Sequence, residues 1–265
     1  MKEYAFGIDL GGTTAKIGLF TTSGALLEKW EVATDTSHAG EHILENLAAA
    51  VLDKMKEKSI QPEQVEGVGI GVPGPVLDSS IVPIVCANLG GWGERNVSAQ
   101  LSGLLDGLKV LVGNDANVAA LGEIWMGAAK GAKNAVMVTL GTGVVRCMKK
   151  LLDENPDTPC VLRGTEFAAK DVFDAARNGD ALAAREVDEM SDTLGMALAN
   201  IASTVDPEAF LVGGGVARAG DVLFAPLNKH FQEYAFKSCR ETPIKQASLG
   251  NDAGIYGAVR LIVGA

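Results

Sequence analysis

Short apolar runs open the chain, and turns rather than helices separate them. Residues 4–9, 15–20 and 26–33 read as three successive strands, divided by GGTT and TSG turns. The spacing then changes. Ile43, Leu44, Leu47, Val51, Leu52 and Met55 recur at the helical period and predict one amphipathic helix, followed by an apolar strand over residues 65–72. This β-β-β-α-β order is a meander. A dinucleotide-binding fingerprint would lead from its glycines straight into a helix, whereas strand character resumes here at Lys16. After PGP at residues 73–75 comes an irregular stretch containing NLGGW at residues 88–92, then a helix near 97–105 and a strand over 109–113. The second half begins with a helix near 118–126 and a strand over 135–140. It then turns mainly helical, with helices at 168–177 and from Ala181 to about Ser203, the latter N-capped by Asp180. A strand over 209–212 runs into GGGV at 213–216, and helix, strand and helix follow. Alternating strands and helices imply an α/β protein in two lobes.

With 265 residues, 47% of them apolar, the chain can bury a sizeable core as one large or two modest domains. Acidic residues outnumber basic ones by 33 to 23, a formal charge of −10, which argues against a nucleic-acid partner. An anionic nucleotide would then have to be held by backbone dipoles and a metal ion. Neither a leader peptide nor a membrane-spanning run is legible, so the expectation is a cytoplasmic protein without a membrane partner. Cys86, Cys147, Cys160 and Cys239 are scattered, with no CxxC pair and no histidine at ligand spacing. They predict neither zinc nor a disulfide framework.

Against that background, two glycine-rich turns stand out because each follows an apolar strand. They are DLGGTTAK at residues 9–16 and TLGTG at residues 139–143. In such turns the missing Cβ of Gly11, Gly12, Gly141 and Gly143 lets backbone N–H groups converge on phosphate oxygens. Thr13, Thr14, Thr139 and Thr142 add hydroxyl donors. Phosphoryl transfer to an alcohol needs phosphate clamps, a metal to spread charge, and a carboxylate to receive the hydroxyl proton. Asp9, at a strand end, suits Mg²⁺ held partly through water or phosphate, although an aspartate there can also stabilise its own turn. Asp115 follows a strand and precedes a helix, which suits either a catalytic base or an N-cap for the helix near Val118. Asn88 and Asn114 are short amides suited to sugar hydroxyls, though surface amides are common. Trp92 fits either a sugar face or the core. Gly213, Gly214 and Gly215 would let an adenosine lie against backbone, or serve as a strand-to-helix turn. Lys16 is a weaker phosphate candidate, since strand alternation can point it to solvent.

Seven segments, YAFGIDLGGTTAKIGLF, GVGIGVPGPV, NLGGW, VGNDANVAALGE, VMVTLGTGV, VDPEAFLVGGGV and LGNDAGIYGA, occur in this order over nearly the whole chain. Together they resemble the ROK family of sugar kinases, most closely its bacterial ATP-dependent glucokinases. The resemblance implies a two-lobed actin-like ATPase fold, also called ASKHA or ribonuclease H-like. Residues 1–116 with 252–265 would form one lobe and residues 117–251 the other. It implies Asp115 as catalytic base and Asn88, Asn114 and Asp115 on the sugar. The turns 11–14 and 139–143 would hold phosphates, Gly213 to Gly215 would lie near adenosine, and ATP and Mg²⁺ would be the cofactors. A homodimer is the family expectation.

One departure accompanies the match. In the family the LGTG turn continues into two strands, an ExGH element that holds the sugar, and a cysteine cluster that binds structural zinc. In this chain Val144 runs directly into Val145-Arg146-Cys147. Several dozen family residues are therefore absent between about Gly143 and Arg146. No structural zinc is expected, and the second lobe should lack part of its sheet. Two missing polar sugar contacts would weaken sugar binding about tens- to thousands-fold.

Overall fold

A computed structural model describes residues 2–141 and 143–264. In chain order its strands and helices begin with β1 (Tyr4–Leu10), β2 (Thr14–Thr21), β3 (Leu26–Ala33), α1 (Ile43–Glu57) and β4 (Val65–Val72). Then come β5 (Ile81–Cys86), β6 (Trp92–Asn96), α2 (Val97–Leu104), β7 (Val110–Asn114) and α3 (Asp115–Met126). The remainder comprises β8 (Val136–Thr139), α4 (Gly143–Glu154), α5 (Ala169–Arg177), α6 (Ala181–Val205), β9 (Phe210–Gly213), α7 (Asp221–Tyr234), β10 (Ile244–Gln246) and α8 (Ala253–Val263). No described helix is long and apolar enough to cross a membrane. The chain divides into two compact units, residues 1–131 with 251–265, and residues 132–250.

The first unit is built on a five-stranded sheet ordered β3-β2-β1-β4-β7. The expected meander supplies the antiparallel pairs β1–β2 and β2–β3, while β1–β4 and β4–β7 are parallel. Both faces are covered, which is why β1 and β4 read as near-continuous apolar runs. On one face Phe6, Ile8, Ile17 and Ile70 pack with Ile43, Leu47 and Val51 of α1 and Leu101 of α2. On the other, Ala5 and Phe20 meet Ile255, Val259 and Ile262 of α8. Each large side chain buried in this way stabilises the fold by about 1.5–3 kcal/mol. Helix α8 lies unusually close to the sheet: a Cβ on Gly69 would stand 1.7 Å from the carbonyl oxygen of Ala258.

Helix α3 crosses α8 just as closely. A Cβ on Gly257 would sit 1.6 Å from the carbonyl of Val118, and one on Gly122 would sit 2.3 Å from that of Ala253. This backbone-to-backbone packing carries residues 117–131 into the first unit, whereas the sequence placed the break after residue 116. The region around NLGGW is also more ordered than expected. It carries the antiparallel ribbon β5–β6, and Trp92 is fully buried against the main core, so its role is packing.

The second unit has a smaller sheet, β10-β9-β8, parallel throughout. Every residue of β9 is buried, whereas β8 is only half-buried and ends on the exposed Thr139. Helices α4 to α7 complete the core around Met148, Phe173, Leu198, Phe210 and Phe231. Asp180 caps α6 as expected, its carboxylate accepting the amide of Ala183 at 3.0 Å. Where α7 meets α6, the buried His230 contacts Asp188 through Nε2 at 2.9 Å, and Asp192 and Glu233 through Nδ1 at 3.3 and 3.2 Å. Helix α4 was not foreseen, and it begins directly at Gly143 of the second glycine turn.

Candidate active site

In the first unit most candidate residues stand at the carboxyl ends of the parallel strands β1 and β7, the usual place for a ligand in such sheets. Asp9 stands near the end of β1, and the β1–β2 register sets Lys16 directly opposite it. The Lys16 ammonium donates to the carbonyl of Asn251 at 3.0 Å, so the lysine is tied to the turn before α8 rather than turned to solvent. Burial pushes the Asp9 carboxyl above its ordinary range; the positive charge of Lys16 opposes that shift, and the negative charge of Asp115 adds to it. The Asp9 carboxylate accepts no hydrogen bond among the described residues, which leaves its hard oxygens for Mg²⁺ or its waters. No group of three or more His, Cys, Asp or Glu side chains among the described residues could hold a metal, so a Mg²⁺ ion here would be held mainly by water and phosphate.

The first glycine turn is braced from both sides. Gly11 N–H donates to Thr14 O at 3.2 Å, the Thr34 hydroxyl donates to Gly11 O at 2.8 Å, and Thr34 N–H donates to Thr13 O at 2.9 Å. A Cβ on Gly12 would lie 2.8 Å from the carbonyl oxygen of Asn88. Glycine is thus required for the turn to touch the short helical turn carrying Asn88. Thr13, Thr14 and Asn88 are exposed, and their side chains make no hydrogen bond among the described residues.

Asn114 and Asp115 occupy the junction of β7 and α3, and they divide the two roles left open by the sequence. Asn114 is the N-cap, its side-chain oxygen accepting the amide of Asn117 at 3.1 Å. Asp115 is the first helical residue. Its Oδ1 accepts the Ala116 amide at 2.8 Å and the Asn114 side-chain amide at 3.0 Å, leaving Oδ2 open among the described residues. The same Asn114 amide donates to Gly74 O at 2.9 Å, which fixes the pair against the end of β4. Asp115 thus stands in the first turn of α3, at the positive end of the helix dipole. The negative charge of Asp115, together with burial as the larger cause, also raises the thiol of Cys86, one residue before the turn that carries Asn88.

The second unit holds the other candidates. Thr139 ends β8, Gly141 lies in the turn, and Gly143 opens α4; Thr142 lies outside the described residues. Leu140 N–H donates to Gly213 O at 3.1 Å, bringing the glycine run after β9 against this turn. Gly214 has φ +86°, and a Cβ there would meet Leu140 O at 2.4 Å, so this glycine serves both the conformation and the contact. Gly141 and Gly215 face open space. Between them lies a cavity of about 670 Å³, also lined by Phe173, Arg177 and Arg218, within the range of nucleotide-sized pockets.

Phe173, Arg177 and Arg218 were not singled out by the sequence. Arg177 donates to Ala219 O at 2.8 Å and pairs with Asp174. A second cavity, about 460 Å³, touches Gly141, Gly143 and Glu186. Glu186 is only 4% exposed, and burial, helped by the charge of Glu189, pushes its carboxyl up to about 7. Its one legible signal was a charge on the apolar stripe Leu182, Ala183, Val187 and Met190 of a helical period.

Comparison with known proteins gives a consistent picture. The ROK family model matches residues 5–145 and 146–264. A glucokinase of Halalkalibacterium halodurans is 32% identical, over 97% of this chain and 94% of that protein. A more distant relative is an N-acetylgalactosamine kinase of Shewanella sp., 25% identical over 97% of this chain. Among solved structures, a ROK family glucokinase from Streptomyces griseus in complex with glucose and AMPPNP has a TM-score of 0.74 and 28% identity. That match covers 97% of this chain and 98% of that one. The fold is the actin-like ATPase fold of these kinases. The alignment with the H. halodurans protein spans 312 positions against 265 residues here, so at least 47 positions face a gap. The family match is split between Val145 and Arg146, where the missing segment was read.

Proposed function

The chain belongs to the ROK family, and from that premise we propose that it is an ATP-dependent kinase that phosphorylates glucose to glucose 6-phosphate. The observation that carries this reading is the clamped Asp115. Its Oδ1 is occupied by two donors and its Oδ2 is free among the described residues, at the mouth of a strand and at the start of a helix. Asp115 takes the proton of the attacking hydroxyl, while Asn114 and Asn88 orient the neighbouring hydroxyls. Asp9 and the turn at Gly11 to Thr14 face the phosphates. In the second unit Thr139 and the turn at Gly141 to Gly143 hold phosphates. There Gly213 to Gly215, with Phe173 and Arg177, receive the adenosine. Mg²⁺ bound through Asp9 would neutralise charge building up on the transferred group.

A kinase of another hexose or an N-acetylhexosamine is the second reading. It is favoured by the N-acetylgalactosamine kinase among the relatives and by the split at Val145, where the family's further sugar contacts would lie. The same split favours weak sugar affinity, down to a sugar-binding remnant without turnover. The test is ADP release with ATP, Mg²⁺ and a panel of hexoses and N-acetylhexosamines. The greatest sugar-dependent rate is expected with glucose. Preference for an N-acetylated sugar would move the assignment to the second reading, and no sugar-dependent release from folded protein would overturn both.

A further inference from the structure

The Asp9 side chain meets the backbone of α8 on one side. Its carboxyl lies against the second residue of α8, Gly254. A Cβ on Gly254 would stand 2.5 Å from the Asp9 Cγ, 2.6 Å from Oδ2 and 2.9 Å from Cβ. No pair of atoms tolerates that approach, so either the helix or the aspartate has to yield.

The helix is closely held by two neighbours. On the sheet, Gly7 would put a Cβ 2.2 Å from the Ile255 carbonyl and Gly69 approaches the Ala258 carbonyl still more closely, while on α3 a Cβ on Gly122 would stand 2.3 Å from the Ala253 carbonyl, so the backbone of α8 has little room to shift. The start of the helix is pinned as well, by the Lys29–Asp252 ion pair at 2.6 Å and by the Lys16 ammonium on Asn251 O at 3.0 Å. Asp9 sits on a central strand with partners on both edges, so its backbone is equally fixed. What remains free to move is the Asp9 side chain, whose alternative rotamers carry the carboxyl away from the strand end.

We propose that Gly254 is a positioning residue for Asp9: its missing side chain leaves the space in which the carboxylate stands, directed toward Mg²⁺ and phosphate. The proposal rests on the reading of Asp9 as the metal-facing carboxylate. It predicts that any side chain at residue 254 acts on the metal through Asp9 rather than through the fold at large.

The experiment uses the full chain as Gly254→Ala, Asp9→Ala and the double variant. In folded Gly254→Ala, carboxyl-carbon NMR should show Asp9 titrating at a shifted pH. Calorimetric titration of ATP at graded Mg²⁺ should need about tenfold more Mg²⁺ for half-saturation. In an Asp9→Ala background, Gly254→Ala should leave the Mg²⁺ requirement where it was and lower the melting temperature less than it does alone. An unchanged Asp9 titration together with an unchanged Mg²⁺ requirement in folded Gly254→Ala would overturn the proposal. If Gly254→Ala alone does not melt cooperatively, the double variant decides: a recovered transition supports the proposal and continued failure overturns it. Failure of the kinase reading shows itself separately, as wild-type protein without sugar-dependent ADP release. The titration and melting measurements still locate Asp9 in that case.

Discussion

Strands β1 and β8 hold the same station in their two sheets. Each begins a parallel triplet, β1-β4-β7 in the first unit and β8-β9-β10 in the second. Each ends in a glycine-rich turn. Beyond the turn they part. The chain leaving β1 folds back as β2, which pairs with the edge of β1, and then as β3, whereas the chain leaving β8 enters α4 and no strand among the described residues pairs with the outer edge of β8. The first unit therefore buries β1 almost completely, while β8 remains half-buried. The two glycine turns differ in kind as a result. One is braced by a hairpin and Thr34; the other relies on Gly213, Gly214 and the start of a helix.

The largest expected contrast is in backbone protection. Val136 and Leu140 donate toward β9, so the intervening amides of Met137 and Thr139 point to the bare edge. Native-state hydrogen exchange should find them at least about a thousandfold faster than the amides of Phe6 and Ile8, which lie between paired strands. Equal protection would mean that something covers the outer edge of β8.

Next in size is the second turn itself. Gly214→Val forces a branched side chain into a positive φ and into the Leu140 carbonyl. It should cost about 2 kcal/mol or more in stability and lower ATP affinity, by calorimetry, at least about tenfold.

A comparable effect attaches to Glu186, whose carboxyl titrates near 7 in the fold against 4.5 ordinarily. The folded state then binds the proton more tightly than the unfolded one, so its destabilising contribution is absent below pH 4.5, grows between 4.5 and 7, and is complete above. Glu186→Gln should flatten that decline and gain up to about 3 kcal/mol at pH 8 in urea melts. A variant that follows the wild-type pH profile would show that Glu186 is not the group responsible.

His230 works in the opposite sense and by less. Hydrogen bonding to Asp188, opposed by burial and reinforced by Glu233, raises its imidazolium above the usual 6.5. Its stabilisation is fully present below 6.5 and fades as pH rises through the raised value. His230→Gln should lower the melting temperature at pH 6 and leave it nearly unchanged at pH 9; a pH-independent loss would assign the residue to packing alone.

The elements most legible in the sequence were those set by local chemistry. The meander, the DLGGT turn and the capped start of α6 at Asp180 follow from apolar period and turn residues a few positions apart. The break after residue 131 was not legible, because it depends on Gly122 and Gly257 meeting backbones far away in sequence. Strand β5 was hidden by Pro83 and by exposed Ile84 and Val85, which spoil the alternation of a half-buried strand. Helix α4 was hidden by its position. Val144, Met148, Leu151 and Leu152 have helical spacing, but they start inside a turn read only for phosphate. At the site, Asn114 and Asp115 were both legible as candidates, but which one capped α3 required the hydrogen bonds. Phe173 and Arg177 are unremarked in sequence, and Gly254 has no role of its own within LGNDAGIYGA, because what makes them matter is the cavity or the carboxylate beside them.

The central claim is that Asp115 receives the proton of the sugar hydroxyl. Its direct test compares Asp115→Asn with the wild type in sugar-dependent ADP release, with Mg²⁺-ATP affinity measured in parallel by calorimetry. The account predicts a loss of about 10²- to 10⁴-fold in kcat with ATP affinity unchanged. Turnover retained at the wild-type rate would remove Asp115 as the base.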